Sequence, residues 1–353
     1  MLLVIFSNPW KNAAMSFPIF GKVPPRGRRW SWPAVLCGCV VGAAVCAADA
    51  PVMLAVSNAA SGQFEISEAG QPVLRYNYRT VEPGERLAKI KPNNHKYAVA
   101  RSDYIHPLYG LNGEELTRDW AVDHPHHRGI YWAWPEVMFG KELGDLHALQ
   151  KVFARPTGKV RLASGAEYAQ IEAENQWLWE DREPIVSEVA LIRAYRATAQ
   201  GRAVDLTLRF TALKEGVTLA RRGTSHYGGL NIRLAQLQGQ TIAMHTDPTN
   251  AAPRRAWSDV SGVFPGGRAP AGVTVLQDPG NPEHPGEYYQ APQLAWCQPT
   301  FPTSGTRFAL SPTKPLVLRF RVWVHAGGQP DEATLAGVWK DFQAAAIKGV
   351  QHE

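Results

Sequence analysis

The strongest constraint on the fold of this chain is a period of two. Residues 203–212 read Ala-Val-Asp-Leu-Thr-Leu-Arg-Phe-Thr-Ala, apolar and polar side chains alternating as in a half-buried strand. Residues 185–198 precede it and Gln200-Gly201 supplies a turn, so the pair predicts a hairpin. The alternation returns at 316–324, and shorter strands are expected at 52–56, 63–67, 73–78, 168–179, 217–220, 230–234 and 273–276. The 31 glycines and 27 prolines punctuate these runs as the turns of a sheet require. Strands do not alternate with helices, which predicts an all-β, antiparallel architecture. One helix is expected, over about 331–348, because Leu335, Val338, Trp339 and Phe342 follow the i, i+3, i+4, i+7 spacing. Asp331 after Pro330 can cap its start and Gly349 can end it. The expectation is one large β-sandwich domain over 51–353 with a C-terminal helix.

Residues 1–50 read as an export signal with its flank. Arg26, Arg28 and Arg29 precede a short apolar stretch, 34–47, and small residues follow at Ala47, Ala48 and Ala50. Cleavage there predicts a periplasmic or secreted protein. That segment holds five basic residues against one acidic, so +4 of the formal +6 leaves with it and only +2 remains. A nearly balanced chain is a poor match to nucleic acid. Cys37, Cys39 and Cys46 leave too, and the remaining Cys297 cannot form an intramolecular disulfide. Beyond residue 50 no apolar run reaches the roughly 18 residues of a spanning helix, so no stable membrane insertion is expected.

The chemistry concentrates at Asp123-His124-Pro125-His126-His127-Arg128-Gly129, which holds three of the eleven histidines. Pro125 cannot donate to a ladder, which places the run at a strand edge or in a loop. If the backbone is extended, His124 and His126 share one face, about 6.6 Å apart, and His127 points to the other. Two such imidazoles can converge on a ligand or a metal, while Arg128 offers a planar cation for a carboxylate or phosphate. The alternative is a hydrogen-bonded knot that ties a loop to the core. His106 lies upstream in Tyr104-Ile105-His106-Pro107-Leu108-Tyr109, and Trp132 and Trp134 lie downstream. His106, His124, His126, His127 and Arg128 are therefore the catalytic candidates. Tyr109, Trp132 and Trp134 are candidates for binding, since aromatic faces can stack on sugar rings. Further binding candidates are His226 and Arg233 around Gly228-Gly229, Asp259 in 256–262, and His284 in the Pro-rich loop 277–285. There is no Gly-x-Ser-x-Gly elbow, no P-loop and no His-Glu-x-x-His.

Taken in order, these segments carry a resemblance. His106-Pro107-Leu108-Tyr109, Asp123 to Trp134, Tyr227 to Arg233, Trp257 to Gly262, Asn281 to Pro285 and Phe320 to His325 resemble the bacterial family catalogued as "methane oxygenase PmoA". Members of that family often carry an acidic residue just before the Gly-Gly pair, where this chain has Tyr227. A membrane oxygenase subunit needs several spanning helices, which this chain lacks beyond residue 50. The β-rich pattern is similar to the galactose-mutarotase-like supersandwich, common among carbohydrate-active enzymes. What the resemblance implies is a supersandwich-like fold and a carbohydrate as small-molecule partner.

Three functions follow as expectations. The first is an exported epimerase, lyase or hydrolase of a sugar or glycoside with a histidine acid/base site and no cofactor. The second is a hydrolase or oxygenase holding zinc, iron or copper through His124 and His126 with His106 or Asp123. Metal analysis of untagged protein separates these two. The third is a sugar-binding module without catalysis, whose affinity would survive replacement of His124 and His126 by asparagine.

Overall fold

Two antiparallel sheets face one another across a shared core in the computed structural model, which describes residues 54–58, 62–245 and 255–350. Residues 1–50, read from sequence as an export signal, lie outside the described residues, which all belong to one compact unit, 50–353. The larger sheet runs Gln238–Met244, Trp257–Val263, Ala271–Gln277, Leu316–Ala326, Arg202–Ala212, Glu183–Tyr195, Tyr168–Trp179, Val152–Ser164. The smaller runs Leu54–Asn58, Phe64–Glu68, Gln71–Asn77, Tyr104–Leu108, Ile130–Ala133, Gly229–Ile232. A four-stranded sheet and a two-stranded ribbon, Tyr288–Ala291 with Trp296–Pro299, complete the β structure. No helix among the described residues is long and apolar enough to cross a membrane.

The alternating segments behave as their pattern predicts. Every second side chain of Arg202–Ala212 is buried, and its hairpin partner Glu183–Tyr195 pairs with it in a register that sets Ile192 opposite Leu206. Tyr168–Trp179 alternates in the same way. Its inward residues Ile171 and Trp177 meet Ile66, Leu74 and Tyr76 of the smaller sheet in one core. Where alternation fails, a second layer covers the outer face. Trp257–Val263 and Ala271–Gln277 are buried on both sides, because Leu335 and Phe342 of the C-terminal helix pack on Trp257, Leu276 and Trp323. That helix spans Glu332–Val350, so it runs through Gly349 instead of ending there. Asp331 caps it, accepting the Thr334 N–H at 2.7 Å. Val152–Ser164 was not expected as a strand, since Pro156-Thr157-Gly158 reads as a break. It is an edge strand whose register shifts between Pro156 and Val160, a bulge that tolerates proline.

The core also contains a polar bolt between the sheets. Glu188 of the larger sheet accepts the Trp132 indole N–H from the smaller sheet at 2.6 Å and the Trp177 N–H at 2.5 Å. Beside it, Asp103 accepts from the Tyr76 hydroxyl at 2.6 Å and the Asn175 amide at 3.0 Å. Burial, and then the Asp103 charge, hold the Glu188 carboxyl well above the usual carboxylate range.

Candidate functional site

The histidine run occupies the loop that leads into strand Ile130–Ala133. Arg128 braces it from inside. Its guanidinium lies on the Trp120 ring and donates to the carbonyls of Pro125 and Val99, both at 2.9 Å, and to Asp119 at 3.3 Å. Gly129 ends the loop at φ +64, where a Cβ would stand 2.3 Å from the Ile105 carbonyl oxygen. Only glycine closes the chain onto the neighbouring strand there.

The loop is not extended. The His127 N–H donates to the His124 carbonyl at 3.0 Å, and the resulting turn cancels the alternation of faces expected of a strand. Instead all three rings converge, with centroids 5.9 Å apart for His124 and His126, 4.9 Å for His124 and His127, and 4.6 Å for His126 and His127. A fourth ring, His147, arrives from the turn after strand Glu142–Gly144, at 5.2 Å from His126 and 5.3 Å from His127. That turn is pinned from three sides. Asp145 accepts the Ala148 N–H at 2.7 Å and is paired with Arg222 at 2.5 Å, while Arg101 donates to the Leu146 and His147 carbonyls.

One ring nitrogen from each of His126, His127 and His147 lies within 4.8 Å of those of the other two. Nδ1 of all three is buried and has no hydrogen-bond partner among the described residues. His147 Nε2 stands 3.0 Å from the Tyr131 hydroxyl, and the Asn231 side chain also bears on this ring. Burial pushes His126 down to about 3, with the neighbouring His124 and Arg101 adding to the effect. His127 also lies well below the usual imidazole range, through burial and then His126 and His147, and so does His147, through burial and then His126, Arg101 and Arg222. Three neutral imidazoles with unsatisfied nitrogens form a donor set suited to a divalent transition metal.

These shifts have a consequence for stability with a definite sign. Below the unfolded pKa of about 6.5 the unfolded chain binds a proton at each histidine that the native state refuses, so acid destabilises the metal-free protein. Above it the contribution is fully present. Buried carboxyls such as Glu188 and Asp145, raised by burial, act in the opposite sense, so the informative quantity is a difference. Between pH 6.5 and 5, metal-free wild type should lose about 1.6 kcal/mol more than His126→Asn, the slope rising toward about 1.4 kcal/mol per pH unit as the unfolded imidazole becomes fully protonated. Urea unfolding at both pH values measures this, and parallel losses would contradict it.

A pocket of about 580 Å³ opens beside the cluster, lined by His124, His126 and His127 together with Tyr97, Tyr227, Tyr289, Trp296 and Arg222. His147 stands behind them, 1% exposed. Trp296 comes from the ribbon, held against this end by its bridge to Arg233, and its ring lies 4.6 Å from that of His127.

Several expected site residues are elsewhere. His106 bonds to Thr117 at 2.9 Å and faces Glu115, outside both the cluster and the pocket lining, so a metal set of His124, His126 and His106 does not assemble. Arg128 is fully buried in its own loop and does not line the pocket. Trp132 and Trp134, 2% and 0% exposed, are core residues that donate to Glu188 and to the Phe301 carbonyl, so neither ring has a face free for a sugar. Tyr109 and the exposed His226 do not line this pocket. Asp259 is buried with Ser261, Thr274 and His325, and His284 stacks on Trp339 of the helix. Arg233 does reach the cluster region, paired to Asp123 at 3.5 Å. His147, Tyr227, Arg222 and Trp296 were not singled out from the residues as site groups. Only Tyr227 had a signal, its place before the Gly-Gly pair.

The model of the Family of unknown function (DUF6807) matches residues 63–340. No curated protein matches the sequence.

Proposed function

Given that the chain belongs to the family of unknown function DUF6807, we propose from its own residues that it is a metal-dependent enzyme acting on a carbohydrate. His126, His127 and His147 hold a divalent transition metal at the wall of the pocket. The observation that carries this reading is the convergence of three imidazoles with partnerless Nδ1 atoms. Three neutral ligands leave coordination positions open, and a metal so held supplies Lewis acidity or an activated water near neutral pH.

The depressed imidazoles argue against the histidines themselves as a neutral-pH acid/base pair, since an efficient group titrates near the working pH. The Tyr131 hydroxyl orients His147 from behind, as partners of metal ligands do. The carbohydrate rests on the pocket wall. Tyr97, Tyr227, Tyr289 and Trp296 give it an aromatic lining, and its volume suits a mono- or disaccharide. The likeness of the histidine motif to the family catalogued as methane oxygenase PmoA, and the supersandwich it implies, agree with a sugar substrate. Action outside the cytoplasm follows from the signal-like residues 1–50.

The test is elemental analysis of untagged protein, followed by turnover of a panel of sugars and glycosides. One metal per chain is expected, with turnover abolished by a chelator and restored by the same ion. Protein that contains no metal and turns over undiminished in chelator would overturn the proposal. Sugar binding without turnover at full metal content would make it a binding module.

A further inference from the structure

Among the described residues Arg222 is the one arginine on the pocket wall, and it is not one of the three clustered ligand candidates. Its side chain is 42% exposed, yet it is held on two edges: Nη2 donates to Asp145 at 2.5 Å, and Nε to the Tyr227 hydroxyl at 3.3 Å. Nη1 has no partner among the described residues. A guanidinium fixed in this way is pre-organised, so little entropy is lost when it grips a planar anion. Its anchor is shared with the metal centre, because Asp145 also caps the turn that presents His147. Tyr227, which orients Nε, belongs to the aromatic wall and packs 5.4 Å from Trp296. The cation therefore sits beside both the stacking surface and the histidines.

Charge balance gives the same direction. Asp145 is matched by Arg222 and Asp123 by Arg233. A bound divalent cation would leave the pocket with a surplus of about two positive charges, which an anionic ligand offsets.

We propose that Arg222 is a specificity-determining residue that selects a carboxylate-bearing sugar, a uronic acid or its glycoside, over a neutral one. This deepens the reading of the same site as a metal-dependent carbohydrate enzyme and rests on it. The ring stacks among Tyr227, Tyr289 and Trp296, and the carboxylate meets the open edge of the Arg222 fork.

The experiment compares binding of glucuronate and galacturonate, their methyl glycosides, the matching neutral methyl hexosides and glucose 6-phosphate. Calorimetry is run on metal-loaded and on chelated full-length protein, with metal content measured on every sample. Uronates should bind wild type at least about 10-fold more tightly than neutral hexosides, and the ratio should approach one in Arg222→Gln. Arg222→Lys keeps a countercharge for buried Asp145 but lacks the fork, so it should show an intermediate ratio at unchanged metal content. Equal affinity for uronates and neutral sugars, preference for the phosphate, or binding of no sugar in the panel would each overturn the proposal. An unchanged preference in a folded Arg222→Gln would overturn it as well. Loss of the metal reading is recognised separately: metal content would then be nil, while the ratio of uronate to neutral sugar can still be read in the chelated protein.

Discussion

Replacing His147 by alanine is expected to abolish stoichiometric metal binding and, with it, turnover. The loss should exceed the roughly 10–100-fold that removal of an outer partner costs, because a first ligand goes. Tyr131→Phe, which removes the hydroxyl 3.0 Å from His147 Nε2, should fall within that smaller range. His106→Ala should keep its metal, since His106 bonds to Thr117 and Glu115 at a separate place on strand Tyr104–Leu108. Metal titration of the three variants, each checked for a native near-ultraviolet spectrum, tests the assignment. Equal metal content in His147→Ala and wild type would exclude His147 as a ligand. Loss of metal in His106→Ala alone would restore the set expected from sequence.

The second large effect is on stability. Glu188→Ala strands two indole donors, Trp132 and Trp177, in a dry interior and leaves a cavity between the sheets. Two unpaired buried donors cost about 1–3 kcal/mol each, and the cavity adds to that. A loss of about 3–6 kcal/mol is therefore expected, a large part of the stability of a single domain. Glu188→Gln should cost roughly one such donor, because an amide has one acceptor oxygen where the carboxyl has two. Urea denaturation of both variants measures the difference. A Glu188→Ala protein within 1 kcal/mol of wild type would mean that water or a rearranged side chain satisfies the two indoles.

The bolt and the residue that contacts His147 from behind share a strand. Ile130–Ala133 carries Trp132 toward Glu188 and Tyr131 toward His147, so successive residues serve opposite faces of the smaller sheet. This alternation explains why Trp132, close in sequence to the histidines, is remote from the pocket.

Burial of one strand face is written locally, and the sequence alone was enough for whatever depends on it. Period two determined Arg202–Ala212 and its hairpin, and the Leu335–Phe342 spacing with the Asp331 cap determined the helix. Pro125 determined that the histidines sit off the ladder. Strands covered on both faces, Trp257–Val263 above all, lost their signature because the helix that covers them lies far along the chain. The site itself was decided by tertiary structure. Extended geometry assigns His127 to the far side, but one turn hydrogen bond returns it to His126. His147 carries no motif, and it reaches the cluster only because Arg101 and Asp145 fix its turn. Arg128 and Trp132 have the side chains expected of a binding site, yet burial spends one on bracing a loop and the other on joining two sheets. Spacing along a chain constrains which residues can share an element. Which nitrogens meet across a pocket depends on how separate loops are packed, and no local pattern records that packing.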